Sequence, residues 1–321
     1  MTLVSRRCAA VAVLLAALPV SMVWAQANSY PNKSINYTLP FVAGGESDIA
    51  ARFQQQALQK IMKQEMVIQY KAGAGGGLAW SQLNAMPGDG YHLMGINLPH
   101  VFLQPLEGNV QYKGTDLTPV YYFHYTPDAL LVPMDSPFKN LADFIAAAKR
   151  SPGKLNIGGS ATLSANHLAS ERFGSLSGTK SQYVPFKGTG ELITSLLGKH
   201  IDAGMSYTTL YMGQKTKLRA LAVAMEKRHP ALPDVPTFKE LGIDMVGGAY
   251  RGVAVPKSTP EPIREQVSAL FAKLNSEPEL RKRMTEGGFE PIDVPYGAMA
   301  KFQRDRSLEY LDAAKLLGLL K

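Results

Sequence analysis

The chain has 321 residues, a formal net charge of +8, 45% hydrophobic residues and a single cysteine, Cys8. One cysteine excludes an intrachain disulfide. Because Cys8 sits in the N-terminal segment, the rest of the chain can offer neither a thiolate nucleophile nor a cysteine-held metal. The basic residues are scattered, and their densest cluster, Arg281, Lys282 and Arg283, falls on a predicted surface helix, so no nucleic-acid partner is expected.

Residues 1–27 read as an export signal. Arg6 and Arg7 form a basic start, residues 9–23 are apolar but short for a membrane span, and Val23-Trp24-Ala25 and Ala25-Gln26-Ala27 offer small-residue cleavage sites. No later run is long and apolar enough to cross a bilayer, which predicts a soluble exported chain. Removing Arg6 and Arg7 from the 34 basic residues leaves 32 against 26 acidic ones. That modest lean suits anion attraction or an ordinary solvated surface. The remaining residues, roughly 290, are enough for about two domains held by their own cores.

A strand predicted over 35–41 stops at Gly44-Gly45. A helix then opens at Ser47 and Asp48 and runs to Met62, with Ile49, Phe53, Ala57 and Ile61 on one face. Strand, glycine turn and helix N-terminus together leave unpaired N–H groups facing outward, and the helix dipole favours negative charge there. A second junction of this kind joins a strand over 66–70, the glycines of 73–77 and a helix over 78–85. The pair predicts a protein that holds a small carboxylate-like anion. Further strands are predicted over 92–97, 117–123, 129–132, 155–158, 182–185, 201–206, 218–224 and 252–255. Helices are predicted over 141–149, 164–176, 191–197, 260–276, 278–287 and 296–317, the last with Met299, Phe302, Leu308 and Leu311 as its core stripe.

Such alternation predicts an α/β chain with parallel sheets and right-handed crossovers. An economical arrangement has two lobes: 28–124 with 250–321, and 125–249. The chain would cross between them near 123–127 and 246–251, leaving a cleft suited to closing on a ligand.

Enzyme signatures fail. Gly158-Gly159-Ser160-Ala161-Thr162 resembles a nucleophile elbow but lacks the final glycine. The six histidines show no metal-site spacing. Gly73-Ala74-Gly75 begins like a dinucleotide fingerprint, but Leu78 holds the third glycine's place, and no Walker lysine follows. Neither catalysis nor a metal or cofactor is expected.

What remains are polar loops at the C-terminal ends of strands, where open α/β sheets bind ligands. The candidate ligand-binding residues are Phe41, Gly44, Gly45, Ser47 and Asp48 in the first loop, Gly75 in the second, and Asn97 and His100 in the third. Ser160, Ser164, Asn166, Lys187, Tyr207 and Arg251 complete the set. Several have plainer readings beside the functional one. Asp48 suits a helix N-cap, and the serines and Asn166 suit either caps or carboxylate donors. Lys187 suits a point charge or a solvated turn. Arg251 suits a bidentate carboxylate bond or an interlobe ion pair, and Tyr207 and Tyr250 suit stacking on a flat ligand or hinge packing.

The loops resemble a known family. Pro40-Phe41-x-Ala43-Gly44-Gly45-x-x-Asp48-x-x-Ala51-Arg52, then Gly73-Ala74-Gly75-Gly76 and Asp89-Gly90-Tyr91, are similar to the Bug/TctC family, the periplasmic substrate-binding proteins of tripartite tricarboxylate transporters. Ser164-x-x-His167-Leu168-Ala169, Val184-Pro185-Phe186-Lys187-Gly188, Leu218-Arg219-Ala220-Leu221-Ala222-Val223, Arg228-x-Pro230-Ala231-Leu232-Pro233-Asp234-Val235-Pro236-Thr237 and Val255-Pro256-x-x-Thr259-Pro260 continue the match in order. The resemblance implies a two-lobed periplasmic binding protein fold of type II, with mixed, mostly parallel sheets. It also implies a monomeric, non-catalytic receptor that grips an organic carboxylate through 41–48 and 159–166 and delivers it to a membrane permease. A sensing role with a signalling sensor domain as partner is the alternative. Four features depart from the family pattern: Glu46 in the first cradle, Ala72 before the second glycine loop, Thr162-Leu163, and Tyr250-Arg251. Glu46 would repel an anion unless it points away or meets a ligand donor. Arg251 would add a direct charge to a distal ligand carboxylate.

Overall fold

A computed structural model describes residues 30–320 of the chain; the segment 1–27, read as an export signal, lies outside them. The chain first lays down β1 (Ile35–Leu39), α1 (Glu46–Met62), β2 (Met66–Tyr70), α2 (Gly77–Leu83), β3 (His92–Leu98) and α3 (His100–Leu103). It then enters β4 (Thr118–Pro133), a 16-residue strand that leaves the first sheet and continues into a second. The second sheet and its helices follow: α4 (Leu141–Arg150), β5 (Asn156–Ser160), α5 (Ala165–Ser177), β6 (Gln182–Phe186), α6 (Thr189–Leu197), β7 (Ala203–Tyr207), α7 (Thr208–Gly213) and β8 (Leu218–Val223). β9 (Gly248–Val255) returns to the first sheet between β3 and β4. α8 (Glu261–Asn275), α9 (Pro278–Glu286), β10 (Glu290–Val294) and α10 (Met299–Leu316) then close the chain.

The strand order is β2-β1-β3-β9-β4-β7-β5-β6, with β8 and β10 also on β4. Both wings are parallel: β2, β1 and β3 in one, β6, β5 and β7 in the other. All five antiparallel pairings involve β4 or β9. The parallel expectation thus holds in the wings and fails at the centre. There one strand leaves the first sheet and another comes back to it, so they run in opposite directions.

The predicted strands over 117–123 and 129–132 are one continuous strand. His124, Thr126, Pro127 and Asp128 read as a polar break between them. In the fold, His124, Thr126 and Asp128 are at most 2% exposed, and Thr126 and Pro127 pair with Ala249 and Gly248. α3, α7 and β10 were not foreseen. The two helices are too short to show a helical period, and β10 carries Glu290, Pro291 and Asp293 on an edge.

Each sheet is covered on both faces. In the first, Ile35, Tyr37 and Leu39 pack with Leu270, Phe271 and Leu274 of α8, while Met94, Ile96 and Leu98 pack with Trp80 and Leu83 of α2 on the opposite face. In the second, Phe144 and Phe173 cover one face and Leu192, Leu196 and Leu210 the other. Two predicted helix faces shift. α1 turns Ala50, Ala51, Ala57 and Leu58 inward, small side chains that a hydropathy stripe underrates, and leaves Ile49 exposed. α10 buries Met299, Tyr310 and Ala314 and leaves Leu308 on the surface.

Candidate functional site

A cavity of about 300 Å³, its mouth included, lies where the two sheets meet. Phe41, Val42, Gly45, Glu46 and Ser47 line it from the β1–α1 junction, and His100 does so from α3. Ser160 at the end of β5, Gly188 and Thr189 at the start of α6, Tyr207 at the end of β7, and Arg251 in β9 complete the wall. Most of that space is open mouth: the enclosed part is about 20 Å³, room for a water molecule, so in this conformation the two sheets stand closed on each other and a solute enters only when they part.

The β1–α1 junction is built by its glycines. Gly44 adopts φ +78°, which turns the chain at no steric cost, and Gly45 in extended conformation caps α1. Asp48 is therefore not the cap. It is the third helical residue, and it reaches back to accept the Gly44 amide at 2.8 Å, while Tyr70 donates to its other oxygen at 2.7 Å and Arg52 pairs with it at 3.1 Å. Asp48 and Gly44 hold the turn and do not line the cavity. The amides of Gly45, Glu46 and Ser47 remain without a protein acceptor among the described residues, as the first turn of a helix requires. α6 repeats the device from the second sheet, with Gly188 as its cap and Thr189 first in the helix. Two helix N-termini, each carrying partial positive charge, thus open on one cavity.

The second glycine loop does not. Gly75 (φ +57°) packs against Gln104, and Gly76 lies under Trp80, so this turn supports α2 and the segment after α3. Gln104 in turn donates to the carbonyls of Thr162, at 2.6 Å, and Leu163, at 3.2 Å, joining the first sheet's side of the cleft to the second's. Glu107 accepts from the Thr162 hydroxyl across the same gap.

Other predicted residues act one layer behind the wall. Asn97 is buried and donates to Ser47 Oγ at 3.4 Å. Ser164 caps α5 by accepting the His167 amide and donates to the Ala161 carbonyl. Asn166 Oδ1 accepts both the amide and the hydroxyl of Ser160, at 3.1 and 2.7 Å, and so fixes the residue that does reach the cavity. Lys187 corrects the expectation outright: its side chain is 76% exposed and lies 4.0 Å from Glu191, facing solvent. Val42, Glu46, Gly188 and Thr189 are wall residues absent from the candidates read from the sequence, where Glu46 figured only as a departure from the family pattern. The glycine-to-helix rule that found Gly45 also applies to Gly188 and Thr189.

The cavity floor is charged. Glu46 Oε1 accepts from His124 Nε2 at 2.8 Å and Thr126 Oγ1 at 2.7 Å, and Oε2 lies 2.5 Å from Arg251 Nη2. Burial pushes the Glu46 carboxyl up, but Arg251 and the bonds from His124 and Thr126 outweigh it and hold the group down at about 2. The pair joins α1 to β9, both on the first sheet, so it is not the interlobe ion pair that the sequence offered. Arg251 does reach across the cleft in another way: its guanidinium lies over the Tyr207 ring, 5.0 Å from the centroid. His100 packs edge-on to Phe41, with ring centroids 5.7 Å apart. Burial first, then Arg251, pulls its pKa down to about 3, so the ring is neutral. Arg251 Nε, Tyr207 Oη and His100 Nδ1 are buried without a hydrogen-bond partner among the described residues.

Comparison with known proteins places this geometry. Residues 50–315 match the family model for the tripartite tricarboxylate transporter family receptor, TctC. A UPF0065 protein from the gbd 5' region of Cupriavidus necator is 32% identical over 98% of this chain and 95% of its own length. The structure of the periplasmic binding protein BugD aligns with a TM-score of 0.84 at 26% identity, covering 91% of this chain and all of that one. MatC from Rhodopseudomonas palustris with bound malate aligns at 0.79 and 25% identity, covering 88% and 99%. The family is one of solute-binding receptors and not of enzymes. With a family match across most of its length and the two-sheet fold of its relatives, the chain belongs to the Bug/TctC receptor family of tripartite tricarboxylate transporters.

Proposed function

We propose that this protein captures a small organic carboxylate in the periplasm, between a lobe of residues 28–124 with 250–321 and a lobe of 125–249, and delivers it to a tripartite-type membrane permease. The observation that carries the reading is the pair of helix N-termini, one from each sheet, that open their first-turn amides on a single cavity beside Ser47, Ser160 and Thr189. Such termini favour anions. The basic, apolar start of the chain supports export. Phe41, Gly45, Ser47, His100, Ser160, Tyr207 and Arg251 would touch the solute, and Asn97, Ser164 and Asn166 would hold those residues in place.

The test is a thermal-shift screen of the purified chain against organic acids, with malate-sized acids first because a structural neighbour carries malate. An acid at about 100 times its Kd should stabilise the fold by about 2.7 kcal/mol. If a neutral sugar or a metal shifts the melt while no acid does, the proposal fails.

A further inference from the structure

The cavity's charge inventory narrows the solute, on the premise that the site receives a carboxylate. Among its lining residues only Glu46 and Arg251 are charged, and they cancel at 2.5 Å. His100 and Tyr207 are the other titratable side chains of the wall; both are buried beside Arg251 and uncharged, His100 because its pKa is lowered and Tyr207 because its pKa is raised. The uncompensated positive potential comes from the N-termini of α1 and α6, worth about half an elementary charge each. Together they balance one carboxylate.

A second carboxylate on the solute would have to approach the Arg251 end of the cavity. There it would meet a guanidinium already engaged by Glu46, and the Glu46 carboxylate itself. Like charges placed side by side in a poorly hydrated site discriminate strongly against that partner. An uncharged polar group fares differently. Among the described residues Arg251 Nε is buried without a hydrogen-bond partner, and Tyr207 Oη is buried with only the Arg251 guanidinium beside it; both belong to wall residues. A carboxamide or hydroxyl can accept from them without confronting Glu46 with a negative charge. Phe41 and the Tyr207 ring add apolar surface to the wall.

We infer that the cavity selects solutes with one carboxylate and an uncharged hydrogen-bonding end, and that Glu46 is the specificity-determining residue that excludes a second carboxylate. Glu46 therefore makes Arg251 a neutral-group receptor, where the sequence alone suggested a site for a distal carboxylate.

Isothermal titration of the exported chain with two matched series tests this: succinate, its half-amide succinamate and succinamide, and the six-carbon set adipate, adipamate and adipamide. In the better-fitting series the half-amide should bind at least about tenfold more tightly than the diacid, with the diamide weakest. Glu46→Gln keeps an acceptor for His124 and Thr126 but frees the Arg251 charge, and should move the diacid-to-half-amide affinity ratio at least about tenfold toward the diacid. A diacid that binds the unmodified chain as tightly as its half-amide overturns the inference while leaving the carboxylate-receptor reading intact. So does a ratio unmoved in a folded Glu46→Gln protein. Should that variant not fold, the ranking on the unmodified chain decides. If no acid of either series and none of the wider acid screen binds, the receptor reading falls and this inference with it.

Discussion

The carboxylate of Glu46 and the guanidinium of Arg251 meet at 2.5 Å with the two residues 4% and 5% exposed, and His124 and Thr126 both donate to the other carboxylate oxygen. Each charge is tolerable at that depth only because the other is there. Removing one partner strands the other, which typically costs 3–5 kcal/mol, whereas replacing both with apolar groups of similar volume is often close to neutral. Arg251→Ala should therefore destabilise the protein by about 3 kcal/mol or more. Glu46→Leu with Arg251→Met should lose much less than the two single changes summed. Urea unfolding of the set measures this; additive losses would show that the pair is not coupled.

Gln104 clasps the cleft through two carbonyls of the 162–163 loop. Each such bond contributes about 1 kcal/mol. Gln104→Ala should weaken solute binding by several-fold, chiefly through faster release, because it removes contacts made across the cleft while touching no wall residue. Stopped-flow release of a solute identified by the thermal screen reads the effect, and an unchanged release rate would deny Gln104 that role.

Gly44 and Gly75 share a left-handed backbone, at φ +78° and +57°, but not their surroundings. A Cβ on Gly44 meets nothing within 4 Å, so Gly44→Ala should cost only the conformational penalty, about 1–2 kcal/mol. A Cβ on Gly75 would stand 2.4 Å from the Gln104 side chain. Gly75→Ala should cost more than Gly44→Ala in a denaturant titration, and should speed solute release as Gln104→Ala does. Equal losses at the two sites would contradict the packing.

The buried histidines should make the fold sensitive to mild acid. The His100 pKa is pulled by burial from 6.5 to about 3, and that of His167 to about 4; His124 is also lowered, by burial first. Below about pH 6.5 the unfolded chain takes up protons at these rings and the folded chain does not, so stability falls as pH drops through that window. Glu46 adds a second, lower stage. With its folded pKa held near 2 against 4.5, its contribution is present above pH 4.5 and is lost as pH falls toward 2. Burial pushes the Asp128 carboxyl well up, so the folded chain gains that proton first and Asp128 works against the histidines as pH falls. The histidine contribution is therefore read as a difference: the melting temperature of His100→Gln should fall less from pH 7 to pH 5 than that of the unmodified chain. Equal falls in the two proteins would contradict a buried neutral His100.

The parts of this molecule legible in the sequence are those governed by local rules. The β1–α1 junction could be read from Gly44-Gly45 followed by an apolar helical pattern, and the two parallel wings from strand–helix alternation. What escaped depends on distant partners. His124, Thr126 and Asp128 look like a break until β9 covers them, and β4 then runs through both sheets. Asp48 looks like a cap until Gly44 and Tyr70 claim both its oxygens. Gly75 obeys the same cradle rule as Gly45, yet serves packing, because Gln104 fills the space in front of it. Glu46 and Arg251 lie 205 positions apart (251 minus 46), and no spacing rule pairs them.

Whether the two helix N-termini hold the solute is decided by a crystal structure with a bound acid found in the thermal screen. That acid should place a carboxylate within hydrogen-bond reach of the amides of Gly45, Glu46 or Ser47 at the start of α1 and of Ser160 or Thr189 from the facing sheet. An acid seated elsewhere, with that cavity filled by repacked side chains, would contradict it.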